Sequence, residues 1–478
     1  MRISKCLNYI NICVFVLFAV SEVGLSQQIN SAEPAIDGLW YGKLQVPSGP
    51  EPGVLIEIIQ KPDHSLRACM ISVDQGAAMP MWANEIHLNQ SNLSFSINSF
   101  GISYEGTLNR DFTIIEGNLS HGQAFPLMLK PVDKIPGRRR PQTPKKPYPY
   151  KEEEVEYESQ EAGIKLTGTL TLPHSEGPFP AVLLIPGSGP IDRNESIYLH
   201  RPFHVLADYL TRRGVAVLRV DKRGTGGSSG EFFSFLQTSL DSLSKDALAG
   251  VNYLKNRREI DPMRIGLYGH SEGGMVAPIA ATQSSDISYI ILAAAPGITM
   301  SELLIHQHAL YGEDDGKSSE QIRAREQWDE KFYTAITEGQ DNSLAEKKIR
   351  ELFNGLGEKE KQLLGWDESR LAGEMSAAFS PSISSKLFYD AQKYLQQVKC
   401  PVLAINGEKD RQVVAEENLE AIRKGLISGG NKNFRIKKLA NLNHIFQTCE
   451  TGAESEYGTI EETMSPAALK EIGNWIQR

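Results

Sequence analysis

Residues 264–281 carry the strongest structural signal of the chain, and they begin Arg264-Ile265-Gly266-Leu267-Tyr268-Gly269-His270-Ser271-Glu272-Gly273-Gly274. A short apolar run ends in a Gly-x-Ser-x-Gly pattern, and an alanine-rich apolar run follows it. This order predicts a buried strand, a sharp turn that lifts the hydroxyl of Ser271 clear of the backbone, and a helix. The five-residue pattern also occurs at ordinary turn serines, but the flanking strand and helix favour a nucleophile.

The same alternation of strand and helix continues on both sides of Ser271. Short apolar or mixed runs occur at residues 181–185, 215–220, 265–268, 289–294, 402–406 and 434–439. Amphipathic helical patterns separate them, which predicts a mostly parallel sheet with helices on both faces. Residues 153–160 and 164–172 are expected to add an antiparallel hairpin at the edge of this sheet.

One long interval, residues 299–397, interrupts the alternation. It contains no apolar strand and predicts helices, one of them beginning at the capping box Ser343-Leu344-Ala345-Glu346. A helical insertion between two strands is expected to form a separate cap over the C-terminal edge of the sheet, where open α/β sheets bind ligands. The cap is therefore expected to shape access to the site.

A different composition precedes residue 153. Residues 36–131 predict short strands with turn signals about every ten residues, as in a small all-β barrel or sandwich domain. Residues 132–152 are rich in proline and basic residues and predict an extended linker. Within it, Arg138-Arg139-Arg140 as a phosphate or membrane patch is the less favoured alternative. The second domain is expected to span residues 153–478.

Composition and the N-terminus narrow the class of protein. The 478 residues carry a formal net charge of −9, and no basic stripe with interleaved aromatic residues occurs, so nucleic-acid binding is disfavoured. Residues 1–26 have the cationic start, apolar run and small residues of a signal peptide. The apolar run is too short for a comfortable membrane span, so we expect an exported protein, periplasmic or secreted, with no stable span after cleavage.

The remaining cysteines and most histidines offer no metal site. Cys69, Cys400 and Cys449 are odd in number and widely spaced, which argues against a disulfide framework and a zinc site. Residues 200–204 contain two histidines without the glutamate of a zinc-peptidase helix. His306 and His308 have no carboxylate or thiolate at metal-ligand spacing in the sequence. We therefore expect no metal.

A serine nucleophile requires a base and an acid that orients it. His444 lies in a loop after the late strand predicted at 434–439, which makes it the leading base. Asp410 follows the apolar run Pro401 to Ile405 and a glycine turn, with Glu408 as the less favoured acid. The chain order Ser271, Asp410, His444 is the order expected for this architecture.

Donors for a developing oxyanion are expected beside the nucleophile. The loop Pro186-Gly187-Ser188-Gly189-Pro190 leaves the first apolar strand, and it predicts that the backbone N–H of Ser188 is one donor. The backbone N–H of Glu272, which follows the nucleophile, is the other. A tight turn without this role is the alternative, whereas the loop matches no phosphate-binding pattern.

With these motifs in place, residues 153–478 resemble the α/β-hydrolase superfamily and, more narrowly, its serine carboxylesterases. The shared motifs include the Pro186 to Pro190 loop with Asp192-Arg193, Asp221-Lys222-Arg223-Gly224-Thr225-Gly226, Gly269 to Gly274, Gly407-Glu408-Lys409-Asp410 with Gln412-Val413, and Asn443-His444. Some relatives also carry a β-rich domain before the core. The resemblance implies an α/β-hydrolase core with a helical cap and esterase activity on small acyl esters.

The sequence thus predicts an exported serine hydrolase that cleaves carboxylic esters of small acyl groups without a cofactor. A serine aminopeptidase or acyl-peptidase would share the same three side chains. A polysaccharide deacetylase is a subtype that export and the β-rich domain suggest. A catalytically silent glycan-binding protein is least favoured, because all three catalytic side chains are present. A homo-oligomer is compatible with the sequence.

Overall fold

The computed structural model describes residues 36–478, except residues 62, 75–78, 135, 136, 138, 162, 231 and 340. The predicted signal peptide and one arginine of the predicted basic patch, Arg138, lie outside the described residues. Within the described part of the chain, no helix has both the length and the apolar character that crossing a membrane requires.

The N-terminal region is one large antiparallel sheet of nine strands. Its strands are β1 (Gly38–Lys43), β2 (Gly53–Gln60), β3 (Leu66–Ser72), β4 (Met81–Trp82), β5 (Glu85–Asn89), β6 (Asn92–Ile97), β7 (Ile102–Leu108), β8 (Ile115–His121) and β9 (Gln123–Val132). The strand order is β4-β3-β2-β1-β9-β8-β7-β6-β5. The sheet curls, because β3 near one edge contacts β5 at the other edge.

Alternating side chains give this sheet its own core. In β6, Leu93, Phe95 and Ile97 are buried while the intervening residues face outward, as their period of two predicts. The apolar pattern of residues 112–119 predicts a strand that begins at Phe112, which is too early. The Asn109 side chain accepts hydrogen bonds from the N–H groups of Thr113 and Ile114, so a turn delays β8 to Ile115.

The second sheet has eight strands and contains the elbow strand near its centre. Its strands are β10 (Tyr150–Glu158), β11 (Lys165–Pro173), β12 (Phe179–Ile185), β13 (Ala216–Val220), β14 (Ile260–His270), β15 (Tyr289–Ala293), β16 (Val402–Gly407) and β17 (Phe434–Leu439). The order is β10-β11-β13-β12-β14-β15-β16-β17. Pairing is antiparallel from β10 through β11 to β13 and parallel between the remaining neighbours.

Thirteen α-helices belong to the described part of the chain. They are α1 (Pro202–Thr211), α2 (Leu240–Lys255), α3 (Glu272–Gln283), α4 (Met300–Asp314), α5 (Ser319–Thr337), α6 (Asn342–Asn354), α7 (Glu358–Leu364), α8 (Glu368–Ala378), α9 (Pro381–Leu387), α10 (Ala391–Leu395), α11 (Ala415–Ser428), α12 (Glu454–Tyr457) and α13 (Pro466–Ile476). Helices α2, α3 and α11 share one apolar core with the second sheet. Helices α1 and α13 share another core on its opposite face. The sheet is therefore buried on both sides.

Helices α4 to α10 lie between β15 and β16 in the chain, and we call them the cap. The cap has its own apolar cluster, in which Trp328, Phe332 and Trp366 are buried. The capping box predicted at Ser343 is wrong. The N-cap of helix α6 lies two residues earlier, at Asp341, whose side chain accepts the N–H of Leu344.

Partly buried ion pairs join the N-terminal sheet to the second sheet, and residues 36–478 form one compact unit. Arg67 on β3 donates to Asp221, 3.1 Å away in the loop after β13. Arg201, before α1, pairs with Glu57 on β2. The guanidinium of Arg140, in the predicted linker, donates to backbone carbonyls of the core, including that of Tyr198 at 2.9 Å. This part of the linker is thus docked rather than free.

Candidate active site

Ser271 lies at a strained turn between β14 and α3. Its φ of 52° and ψ of −115° are unusual for a residue with a side chain, and its N–H donates to Ala293. The turn is tight enough to require glycine nearby. A Cβ on Gly269 would lie 2.1 Å from the carbonyl oxygen of Gly273, and a Cβ on Gly273 would lie 2.1 Å from that of Ile185. The geometry matches the strand, turn and helix of a nucleophile elbow.

His444 and Asp410 form a buried hydrogen-bonded pair. Nδ1 of His444 lies 2.8 Å from Oδ2 of Asp410. Because a carboxylate accepts, Nδ1 donates this proton and Nε2 is left as the basic nitrogen. The other carboxylate oxygen of Asp410 accepts the N–H groups of Gln412 and Val413, each at 2.8 Å. The acid is therefore fixed in the orientation that holds the imidazole.

The loop that carries His444 is held by its own hydrogen bonds. Asn443 and Gln447 exchange side-chain and backbone hydrogen bonds on either side of His444. His200, buried two residues before α1, lies with its Nε2 2.9 Å from the side-chain amide nitrogen of Gln447. A buried polar network of this kind restricts the position of the histidine backbone.

Ser271 and His444 line one cavity of about 300 Å³. The cavity lies at the C-terminal edge of the second sheet, and cap helices α4 and α9 supply part of its wall. Its apolar lining includes Met275, Met300, Leu303, Leu304, Ile383 and Ile445. Polar and charged residues, among them Glu195, Glu272 and Lys386, supply about half of the lining. A concave site that combines apolar walls with polar groups is typical of a small-molecule pocket.

The two expected oxyanion donors line the same cavity. Ser188 belongs to the loop after β12, and among the described residues no acceptor contacts its N–H. Glu272 is the first residue of α3, so its N–H has no partner within the helix. The start of a helix also favours negative charge. Both N–H groups are thus available to a developing oxyanion.

The side chain of Glu272 is part of an ion-pair cluster that the sequence did not reveal. Its carboxylate lies 2.5 Å from Nζ of Lys222 and 2.9 Å from Nζ of Lys386 on α9. Burial alone would raise the pKa of Glu272, but the two ammonium groups hold it at about 2. Lys222 also donates to the carbonyl of Gly187 at 2.6 Å. The position of Lys222 in the Asp221-Lys222-Arg223 motif was the sequence signal that could have pointed to this cluster.

A second histidine–carboxylate pair lies beside the first. Nδ1 of His270 lies 2.8 Å from Glu195, and its Nε2 lies 3.0 Å from the backbone carbonyl of His444. The rings of His270 and His444 are 4.8 Å apart. The position of His270 inside the Gly-x-Ser-x-Gly pattern was the signal for this residue, whereas nothing in the sequence pointed to Glu195.

The other candidate residues lie away from these groups. The carboxylate of Glu408 accepts the N–H of Asn441 at 3.0 Å instead of holding His444. His306 and His308 pair with Glu417 and Asp329, contacts that local spacing could not show. Those partners are more than twenty residues distant in the chain. The described residues contain no cluster of three or more histidine, cysteine or acidic side chains that could hold a metal ion.

Comparison with known proteins finds similarity to hydrolases. Residues 202–339 match the sequence profile of the prolyl oligopeptidase family, a segment that includes Ser271 but ends before Asp410 and His444. Over 320 residues the chain is 26% identical to esterase EstD from Thermotoga maritima, and the match covers 65% of each protein. It is 30% identical over 139 residues to human dipeptidyl peptidase 8, covering 28% of this chain and 15% of that protein. The chain thus spans less than two thirds of either relative.

Similar solved structures include the esterase Pf2001 from Pyrococcus furiosus. It is 18% identical, with a TM-score of 0.42, and the match covers 71% of this chain and 97% of that chain. The alpha/beta hydrolase GrgF from Penicillium is 15% identical with the same TM-score of 0.42, covering 69% of this chain and 98% of that one.

Proposed function

We propose that this chain, an α/β hydrolase with an esterase-like sequence, is a serine esterase that cleaves carboxylic esters of small acyl groups. One observation carries the proposal. The strained turn presents Ser271 to the same small cavity as His444, whose imidazole is oriented by Asp410. A serine hydroxyl becomes a useful nucleophile at neutral pH only beside such a base.

The acylation half-reaction follows from these positions. Nε2 of His444 accepts the hydroxyl proton of Ser271 while Oγ attacks the ester carbonyl. Asp410 stabilises the imidazolium that results. The carbonyl oxygen becomes an oxyanion, which accepts hydrogen bonds from the N–H groups of Ser188 and Glu272. His444 then returns the proton to the leaving alcohol, and an acyl-enzyme remains.

In the second half-reaction, water takes the place of the alcohol that left. His444 accepts a proton from water, hydroxide attacks the acyl-enzyme, and the carboxylic acid leaves as Ser271 regains its proton. Apart from water, these steps use only the side chains and backbone N–H groups already described.

The test is hydrolysis of a short p-nitrophenyl ester. Ser271→Ala is expected to lower kcat by about a million-fold, since serine, histidine and acid act as a unit. Ser285→Ala is a suitable control, because this exposed serine lies just after the same helix and outside the cavity. If Ser271→Ala retains most of the wild-type activity, Ser271 is not the nucleophile.

A serine peptidase is the second candidate, and the match to the prolyl oligopeptidase family is the observation in its favour. Both reactions use the same catalytic residues, so the leaving group must distinguish them. Esters and amides with an identical acyl group would be compared by kcat/KM. We expect the ester to be favoured; a higher kcat/KM for the amide would make the protein a peptidase.

Export by a cleaved signal peptide is also part of the proposal. The order of charge, apolar run and small residues in residues 1–26 supports it. N-terminal sequencing of protein recovered outside the cytoplasm would test it, with a chain beginning at Gln27 expected. A retained N-terminal segment would contradict cleavage.

A further inference from the structure

A buried chain of hydrogen bonds runs from the loop of the expected oxyanion donor to the loop of the expected base. Oε1 of Glu195 accepts the N–H of Gly187, the residue before Ser188, at 2.8 Å. The same oxygen lies 2.8 Å from Nδ1 of His270. Nε2 of His270 lies 3.0 Å from the backbone oxygen of His444. The imidazole of His270, at the end of β14, thus joins the loop between β12 and α1 to the loop after β17.

The partners of His270 define its protonation state. The carbonyl oxygen of His444 can only accept, so Nε2 of His270 must donate. Oε1 of Glu195 already accepts from Gly187, so Nδ1 of His270 donates to it as well. An imidazole that donates from both nitrogens is an imidazolium cation. The side chains of His270 and Glu195 are only 6% and 7% exposed, so the cation and the carboxylate neutralise each other away from water.

We propose that His270 and Glu195 form a positioning pair, which holds the His444 backbone and the Gly187 loop at the separation that the hydrolytic reaction needs. The inference rests on the proposed function. His270 does not transfer a proton to substrate in this account. It acts through the position of His444 and of the Ser188 N–H, both of which must be correct within a fraction of an ångström.

The backbone beside Glu195 is built to aim this carboxylate. Glu195 has a φ of 52°, which is uncommon for a residue with a side chain. Asp192 accepts the N–H groups of Asn194 and Ser196 on either side of it, at 3.0 and 2.9 Å. The strained conformation is therefore stabilised by local hydrogen bonds, as is common where a side chain has a fixed task.

Ionisation gives the pair a specific pH dependence. Burial lowers the pKa of His270, but Glu195, the His444 carbonyl and the charge of Asp410 together raise it above the ordinary 6.5. Two further charged side chains, Lys386 and Glu272, line the same cavity and form an ion pair with each other. Because the folded-state pKa is raised, the pair is fully formed below pH 6.5 and is lost as the pH rises through the folded-state pKa. Neutral His270 can then keep only one of its two donated bonds.

Kinetics of His270→Gln and Glu195→Gln test the proposal. We expect His270→Gln to lower kcat about tenfold to a hundredfold while KM stays within about twofold, because geometry rather than binding is disturbed. Glu195→Gln should move the alkaline loss of activity to lower pH, since the carboxylate that holds the proton on His270 is gone. His306→Gln, a cap histidine outside the cavity, is the matched control and should leave kcat unchanged.

Proton NMR with selectively ¹⁵N-histidine-labelled protein tests the same pair without substrate. At pH 6.5 a buried histidine should show protons on both ring nitrogens, and His270→Gln should remove that signal. A neutral His270 at pH 6.5 would overturn the proposal. So would an unchanged kcat and pH profile in both variants, provided that far-ultraviolet circular dichroism shows a folded chain. If the wild-type protein hydrolyses no ester or amide, the proposed function fails. The NMR experiment still tests whether His270 is the cation of an ion pair with Glu195.

Discussion

The carboxylate of Glu272 lies 2.9 Å from the ammonium group of Lys386, so a cap helix contacts the residue that follows the candidate nucleophile. Both side chains are buried, at 4% and 5% exposure. A buried carboxylate with one ammonium on each side is well compensated, whereas removal of one partner leaves charge uncompensated. The cap is therefore tied to the same residue whose N–H is expected to bind the oxyanion.

Lys386→Met should weaken this tie and lower kcat/KM about tenfold, a loss of about 1.4 kcal/mol in transition-state stabilisation. Part of the loss should appear in KM, because the cap supplies part of the wall of the cavity that Ser271 lines. Steady-state kinetics on a short ester measures both parameters. Lys347→Met, on the exposed face of α6, is the control. Equal kinetics for the two variants would show that the ion pair has no part in catalysis.

Asp410→Asn should lower kcat by about 10⁴-fold while leaving the fold intact. The amide has no negative charge to stabilise the imidazolium of His444, and it favours the wrong tautomer. Glu408→Gln is a matched control two residues earlier, because its side-chain oxygen can still accept the N–H of Asn441. Comparable losses in the two variants would mean that the acid has been assigned to the wrong residue.

The acyl pocket predicts a defined dependence on chain length. Each added methylene that is buried contributes about 0.8 kcal/mol, so kcat/KM should rise about fourfold per methylene until the cavity of about 300 Å³ is filled. A series of p-nitrophenyl esters from acetate to decanoate measures the optimum. Leu303→Trp should shift it towards shorter chains, because this buried cap residue lines the cavity. If Leu303→Trp leaves the optimal chain length unchanged, the acyl group binds elsewhere.

The ion pair between Arg67 and Asp221, which joins the two sheets, predicts that the stability of the protein depends on pH in the acid range. Burial alone would raise the pKa of Asp221, but Arg193 and Arg67 hold it at about 2. Because this pKa is depressed, the stabilisation is present above the ordinary 3.8 and is lost as the pH falls towards 2. Arg67→Met should lower the free energy of unfolding at pH 7 by up to about 3 kcal/mol, since Arg193 remains as a partner.

Thermal unfolding at several pH values checks this effect. The Arg67→Met protein should lose stability at a higher pH than the wild type does on acidification, because the pKa of Asp221 rises when a cation is removed. Arg110→Met, in an exposed turn of the N-terminal sheet, is the comparison. Parallel stability curves for wild type and Arg67→Met would refute a contribution from the pair.

Separation along the chain explains which parts of the site the sequence could reveal. Ser271 is defined by its immediate neighbours, and Asp410 and His444 each follow a recognisable strand, so local patterns were enough to nominate them. The contact between Glu272 and Lys386 joins residues 114 positions apart. No local pattern predicts such a contact, because it depends on how the cap folds back over the sheet.

The same reasoning applies to the fold. Periodicity located most strands within a few residues, since apolar alternation is a local property. It missed β4, whose two residues, Met81 and Trp82, are too few to show a period. It also could not distinguish a sandwich from the single curled sheet, because the curl depends on pairing between β1 and β9, more than eighty residues apart. Domain boundaries at 36–131, 132–152, 153–478 and 299–397 remain predictions.

Covalent labelling tests the central claim most directly. The wild-type protein would be treated with a fluorophosphonate, and the modified residue would be identified by mass spectrometry of its peptides. Activation of Ser271 by His444 predicts a single adduct on Ser271, which disappears in Ser271→Ala and forms at least about a thousandfold more slowly in His444→Gln. An adduct on a different serine, or an unchanged labelling rate in His444→Gln, would contradict the claim that these two side chains work together.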